Sequence, residues 1–308
     1  MPADDGYISP QVLNAFMHDS YDAGDSDITG TQIIDSPRIM QLKKAHQDEI
    51  DRTLPKVFFS VMGRGVHAVM ESATSGDDTI AEERIFWDHP NGLRTSTQLD
   101  LQILNPDGTV IVIDYKVTSV RSVLFAAKHE ENGIKPEWDR QLQVQKFFVE
   151  KAKGMQVTEL YILVILRDWI ASQAKTRADY PQSPVLQLPV PMWESDTIAD
   201  YVEERLALHQ QASYAALLHQ DLVECSDAEM WAQSDKFVVL KSATAKRASK
   251  VCSSMDEAIA WAADNKLNGD HVIQHRLGKR TRCEDYCEVN RWCSQYTRYV
   301  ESQSHADA

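Results

Sequence analysis

Residues 100–119 read DLQILNPDGTVIVIDYKVTS, and the fold of the chain turns on how that stretch divides. Asn105-Pro106-Asp107-Gly108 is a strong turn signal, because Pro presets one turn dihedral and Gly tolerates the left-handed position. LRTSTQLDLQIL before it and TVIVIDYKV after it have strand character. Val110 to Ile113 is apolar enough to be a buried strand, yet it runs straight into Asp114, Tyr115 and Lys116. In a strand, residues two apart share a face, so Asp114 and Lys116 point one way and Tyr115 the other. Hairpin pairing brings Asp100 and Asp114 onto neighbouring strands, where two carboxylates repel unless a cation lies between them. Oxygen ligands of this kind suit magnesium or manganese, and a lysine alongside can orient a water or stabilise developing charge.

Working outward, AEERIFWD precedes the hairpin across a second turn, His89-Pro90-Asn91-Gly92, which completes a β-meander. A helix is expected over 137–153, stopping at Gly154, followed by the buried-type strand ELYILVIL. Upstream, Ser9 and Pro10 open one helix, Ser36 and Pro37 open a second through about Arg52, and residues 57–73 form a third. The third carries His67 and Glu71, which lie one turn apart on the same face. Helix, three strands, helix and strand define an α/β core with a mixed β-sheet flanked by helices. Residues 173–193 hold four of the eleven prolines and read as an irregular connection to another strand, and 195–219 reads as a helix.

The last third, with strands at FVVLK, SKVCS and HVIQHRL around the helix MDEAIAWAADN, reads as a small C-terminal α+β appendage. The expected organisation is therefore a core over 1–222, an appendage with a cysteine cluster over 223–300, and a disordered tail over 301–308.

Composition narrows the class. A chain of 308 residues exceeds what one core comfortably fills. An apolar fraction of 43% and a charged fraction of 25% are those of an ordinary globular protein, and the longest apolar run, LYILVIL, is too short to span a bilayer. No membrane association is expected. The opening MPADDGYISP lacks the basic and apolar regions of a secretory signal, so a cytoplasmic location with reduced thiols is expected. The net charge of −14 disfavours nonspecific coating of nucleic acid, but charge is segregated: residues 236–282 carry ten Lys or Arg against four acids, whereas residues 1–60 carry ten acids against five bases.

Cys283, Cys287 and Cys293 fall within eleven residues as C-x3-C-x5-C. Thiolates this close in a reducing compartment suit a soft metal. A fourth ligand has to come from Cys225 or Cys252. Cys252 lies in an apparent strand, where a packing role is expected, which favours Cys225 as the fourth ligand.

Four segments together resemble the PD-(D/E)XK nuclease superfamily, within it the RecB-type branch that includes the CRISPR-associated adaptation nucleases. Gly63-Arg64-Gly65-Val66-His67 is similar to the family's G-x-x-x-H helix motif, Thr97-Gln98-Leu99-Asp100 to its strand with the first acid, Ile113-Asp114-Tyr115-Lys116 to its second acid and lysine, and Gln141-Leu142-Gln143-Val144-Gln145 to its glutamine motif. Tyr7-Ile8-Ser9-Pro10 is loosely like its opening helix.

The resemblance implies a restriction-endonuclease-like core and a Mg2+- or Mn2+-dependent deoxyribonuclease, more an exonuclease than an endonuclease, acting on single- or double-stranded DNA ends in phage or bacterial recombination or repair, with a recombinase or helicase as possible partner. It implies that His67, Asp100 and Asp114, with the Tyr115 carbonyl, bind the divalent metal, that Lys116 positions or activates the attacking water, and that Gln141 orients the lysine or touches DNA. Glu71 is a further candidate beside the metal. Where the family has Tyr in its glutamine motif this chain has Gln145.

Cys225, Cys283, Cys287 and Cys293 are similar to the four-cysteine iron-sulfur site of several RecB-type nucleases, which implies a 4Fe-4S cluster. The family's first cysteine usually precedes the nuclease core and its second gap is usually shorter, so zinc stays open as the alternative. Either metal would staple the C-terminal segment, with residues 236–282 as a phosphate-contacting wall and Trp231 or Trp292 for base stacking. The rival expectation is a catalytically inactive DNA-binding or assembly subunit with a zinc-stapled tail.

Overall fold

The computed structural model describes residues 8–18, 22–51, 53–73, 76–265 and 269–306. In chain order the elements are α1 (Pro10–Met17), β1 (Ile28–Thr29), α2 (Gly30–Ile34), α3 (Pro37–Ala45), α4 (Leu54–Ala73), β2 (Thr79–Asp88), β3 (Arg94–Leu104), β4 (Val110–Thr118), α5 (Val120–His129) and α6 (Pro136–Phe148), then β5 (Val157–Leu166), α7 (Ala171–Thr176), β6 (Val185–Pro189), α8 (Ser195–Leu217), α9 (Asp227–Met230), β7 (Lys236–Leu240), β8 (Ala248–Cys252), α10 (Met255–Asp264), β9 (Val272–Arg276) and α11 (Ser294–Ala306). Two compact units result: residues 1–34 with 51–209, and residues 35–50 with 210–308.

The first unit is built on a six-stranded mixed sheet. Its order is β1-β3-β4-β5-β6, with β2 on the remaining edge of β3. The meander β2-β3-β4 is antiparallel, as the two turn signals dictate, and β4 then pairs in parallel with β5 through the crossover that contains α6. Val110, Val112, Ile162 and Val164 are fully buried in the sheet, and Leu142, Val144 and Phe148 of α6 are fully buried against it. On the other face, Tyr115 packs with Leu101, Ile113 and Met70, the last of these from α4. The central strands are thus covered on both sides, which is why their sequences read as apolar runs.

One departure from regular pairing shapes the molecule. The registered pairs of β3 with β4 run only from Leu104↔Val110 to Leu101↔Ile113. Further along the same edge, β1 takes over at Thr95 and Ser96. Between them the edge of β3 opens into a fork at Asp100. Tight packing of α2 holds this fork: a Cβ on Gly30 would lie 2.6 Å from Thr97 Oγ1, so only glycine lets the helix approach β3 there.

The second unit contains the three-stranded sheet β8-β7-β9, with Ala258 and Ala262 of α10 buried against Val239 and Cys252. It also contains α3, from far earlier in the chain. Ile39 of α3 is buried with Cys225, Met230 and Val289.

The structure departs from the sequence expectations at four places. α3 stops at Ala45, where a backbone hydrogen bond from His46 to Leu42 closes the helix seven residues before Arg52. α5 and α7, unread in the sequence, occupy the connections after β4 and β5. α11 (Ser294–Ala306), unread in the sequence, carries residues 301–306 of the stretch expected as a disordered tail, held by the helical backbone ladder beyond the stacked Tyr296 and Tyr299. Tyr7 of the Tyr7–Pro10 segment, and residues 307–308 of the expected tail, lie outside the described residues.

Candidate active site

The fork between β3 and β4 gathers a row of charged groups, its carboxylates Asp100 and Asp114 buried. Asp100 sits in it, with Oδ2 accepting the Tyr115 N–H at 2.6 Å. Its Oδ1 lies 3.4 Å from His67 Nδ1, brought in by α4. Glu82 completes the group: its Oε1 is 3.0 Å from the same His67 nitrogen, while its Oε2 accepts from Gln98 Nε2 at 2.7 Å. Among the described residues, His67, Glu82 and Asp100 are the one trio of His, Cys, Asp or Glu whose ligand atoms all lie within 4.8 Å of one another.

Asp114 is fully buried on β4 and faces α6. Its Oδ1 accepts from Gln141 Nε2 at 2.8 Å and from Gln145 Nε2 at 3.2 Å. Its Oδ2 lies 2.6 Å from Lys116 Nζ, and that ammonium also donates to Gln141 Oε1 at 2.9 Å. The Lys116 contact with Oδ2 is an ion pair without hydrogen-bond alignment, so this buried oxygen has no hydrogen-bond donor. Gln141 therefore bridges the lysine and the carboxylate, and Gln145, at the position where the family has Tyr, braces the same carboxylate.

Charge in this site is out of balance in one direction. Three carboxylates face one lysine and one histidine. Burial, followed by the negative charge of Asp114, pushes the Asp100 carboxyl up to about 7. The hydrogen bond with Glu82 raises the His67 imidazole against the opposing effect of burial, and the charges of Asp100, Glu82 and Asp114 add to the rise. A buried carboxylate oxygen without a donor, a second carboxyl raised by burial and by the charge of the first, and an imidazole beside it match the donor set of a divalent cation.

Of the residues read from the sequence, His67, Asp100, Asp114, Lys116 and Gln141 all come together at the fork. Glu71 does not; it is exposed on α4. Tyr115 does point away from Asp114, but its side chain is only 2% exposed and its ring packs edge-on against His67 at 5.7 Å. It forms a wall beside the imidazole, on the face opposite Asp114. Glu82 was missed. In sequence it is one of two adjacent glutamates in a strand, and only its backbone distinguishes it: φ is +50°, a left-handed conformation rare for a residue with a side chain, between the registered pairs Ala81↔Leu101 and Glu83↔Leu99.

In the second unit, Cys225, Cys283, Cys287 and Cys293 line one small cavity together with Arg38. Cys252 packs with Val239 in the three-stranded sheet instead. Ser36 Oγ lies 3.0 Å from Cys225 Sγ, and Arg38 Nη1 donates to Cys293 Sγ at 3.8 Å. Gln295 clamps the Cys225 backbone with two hydrogen bonds of 2.8 and 2.9 Å. Burial pushes the Cys225 thiol up to about 12, and burial with the neighbouring thiols pushes Cys283 up to about 11. Metal-free, these remain thiols, and a soft cation is what ionises such a group.

Comparison with known proteins adds only general likenesses. No family model matches the chain, and no curated protein matches it. Among solved structures, the chain is similar to the protein SSO0001 at 16% identity and a TM-score of 0.42, covering 67% of this chain and 92% of the other. It is similar to the alkaline exonuclease LHK-Exo from Laribacter hongkongensis at 14% identity and a TM-score of 0.33, covering 62% and 90% respectively. It is also similar to a phage-related exonuclease from Haemophilus somnus at 14% identity and a TM-score of 0.38, covering 59% and 80%. The functional reading accordingly rests on the residues of the site.

Among the described residues, no helix is long and apolar enough to cross a membrane.

Proposed function

We propose that this chain is a divalent-metal-dependent deoxyribonuclease that trims DNA from its ends, in a recombination or repair setting. The observation that carries the reading is the fork itself: it brings Asp100 within the electrostatic reach of Asp114, with Lys116 2.6 Å from Asp114 and His67 between Asp100 and Glu82. Asp100, Asp114 and His67 would hold magnesium or manganese, which when bound polarises the phosphoryl oxygen and acidifies a water. Glu82 is positioned either to join them or to orient His67. The Tyr115 carbonyl is a reasonable further donor, because a strand residue presents its N–H and C=O to the same side, and its N–H already points at Asp100. Lys116, steered by Gln141, is placed to orient the attacking water and to stabilise charge developing on the phosphate.

End-labelled linear DNA and the same DNA as a closed circle discriminate the outcomes. Magnesium-dependent loss of the linear substrate with the circle spared is expected. Intact DNA in both arms removes the reading and favours a nuclease fold retained for binding.

Metal affinity carries a pH signature. Asp100 has a folded-state pKa of about 7, above its value in an unfolded chain. The folded apo protein therefore holds an extra proton there, and this contribution to stability is present at low pH and is lost as pH rises through about 7. A divalent cation competes with that proton, so magnesium raises the melting temperature more at pH 8 than at pH 5.5. Thermal melts across that range check it: Asp100→Asn flattens the difference, and equal shifts at both pH values sink the assignment.

The four cysteines are proposed to hold a 4Fe-4S cluster. All four line one small cavity of the second unit, and an all-thiolate donor set is the one such a cluster takes. Anaerobic purification is expected to give a brown protein with broad visible absorbance and about four irons per chain; a colourless protein with one zinc overturns it.

A further inference from the structure

Beyond the fork, the first unit carries a groove of about 600 Å3 with no role in the metal chemistry. It opens at the same end of the sheet, since β4 continues from Lys116 through Thr118 into α5, and β5 runs parallel beside it into Asp168. Arg121, Leu124, Phe125 and Lys128 line it from α5, with Ile170 and Tyr180 opposite.

α5 has two stripes of helical spacing. Val120, Val123 and Ala126 are at most 7% exposed and form its buried side. The second stripe, at positions 121, 124, 125 and 128, follows the same i, i+3, i+4, i+7 rule and faces the groove. Its aromatic, Phe125, is 58% exposed, with the His129 ring 4.5 Å away, and Ile170, which also lines the groove, is 47% exposed. Arg121 and Lys128 bracket this apolar centre, about 10 Å apart along the helix axis. Among the described residues neither has a carboxylate within 4 Å, whereas the acids nearby are occupied: Asp168 Oδ1 accepts the Val120 N–H at 2.7 Å, and Asp179 is paired with Arg177 at 2.8 Å.

An exposed ring between two unpaired cations, set in a groove, matches one chemistry well: a stacked base with phosphates on either side. A duplex hides its base faces, so the ring has use only for an unpaired strand.

We infer that the groove between α5 and the 168–180 segment binds single-stranded nucleic acid, one base stacked on Phe125 and the flanking phosphates held by Arg121 and Lys128. This inference rests on the nuclease reading for the identity of the polymer and gives the groove a function there, holding an unpaired strand at the same end of the sheet as the fork.

The test is the affinity of the full chain for a fluorescein-labelled oligothymidylate of about twenty nucleotides, by anisotropy in EDTA across a salt series, beside a matched duplex. Phe125→Ala is expected to weaken single-strand binding about tenfold and Phe125→Trp to preserve it. Arg121→Gln combined with Lys128→Gln is expected to reduce the salt slope by about 1.4, at roughly 0.7 per phosphate contact on a single strand. Circular dichroism checks that the variants fold. Single-strand affinities within twofold of wild type for both Phe125→Ala and the charge variant overturn the inference, as does an equal loss for duplex and single strand, or sedimentation showing that Phe125 is covered by a second copy of the chain. Because no metal is present, binding and cleavage fail separately. A variant-sensitive single strand without cleavage keeps the groove and removes the nuclease, and cleavage with variant-insensitive binding does the reverse.

Discussion

Asp114→Asn lowers the rate of magnesium-dependent DNA cleavage by roughly 1000-fold while leaving the protein folded. The side chain is fully buried and almost isosteric with its replacement, so packing with α6 is kept. What changes is charge. One Asp114 oxygen accepts from both Gln141 and Gln145, and the other faces Lys116 at 2.6 Å with no aligned donor. An amide cannot offer that second oxygen as an anionic ligand, and it also turns a donor toward Lys116. The ammonium then loses the partner that fixes it, although Gln141 still holds it at 2.9 Å. Lys116→Ala is expected to lose comparable activity through the other half of the pair. Cleavage of end-labelled DNA under single-turnover conditions, with thermal melts as the control for folding, measures both. Activity of either variant within tenfold of wild type would falsify the assignment of this pair to the chemistry.

The largest effect on stability is expected at Arg38. This guanidinium is 1% exposed in the second unit, where it donates to Val223 O at 3.1 Å, Leu222 O at 2.5 Å, Asp221 Oδ1 at 3.0 Å, Ser294 Oγ at 3.0 Å and Cys293 Sγ at 3.8 Å. It therefore ties the segment before Cys225 to the start of α11. Arg38→Leu keeps the bulk but strips the donors, stranding two carbonyls. Asp221 is half exposed and can be rehydrated, so the loss comes mainly from the backbone groups. The expected destabilisation is about 3 kcal/mol. Urea unfolding followed by the fluorescence of Trp231 and Trp292 should show this unit melting earlier. A change below about 1 kcal/mol, within the range of ordinary surface substitutions, would mean that the arginine is dispensable.

Much of the site was legible because its pieces are local. The turn at Asn105 to Gly108 sets the hairpin, alternation separates Asp114 and Lys116 from Tyr115, and the helical period puts Gln141 and Gln145 on one face of α6. Each of these follows from the backbone geometry of a short segment. Glu82 was not legible, since a left-handed residue in the middle of an otherwise regular strand leaves no mark in AEERIFWD. The exposed stripe of α5 was hidden too: VRSVLFAAKH carries apolar residues on two faces, and sequence alone does not say which of them the sheet covers.

The cysteines divide in the same way. Spacing alone brought Cys283, Cys287 and Cys293 together, because three residues within one short segment cannot lie far apart. That Cys225 joins them, and that the helix opened by Ser36 and Pro37 folds around them, depends on contacts between residues up to 255 positions apart in the chain. By itself the sequence determined the β2-β3-β4 meander, the helix after it and β5, with Asp100, Asp114 and Lys116 on the paired strands, because short-range periodicity and turn chemistry dictate them, whereas His67 and Gln141 were singled out only through the family resemblance. The tertiary structure alone decided that β3 and β4 part at Asp100, that Glu82 turns into the opening, and that residues 35–50 belong with the C-terminal unit. These depend on which distant segment fills each space, and no local pattern encodes that.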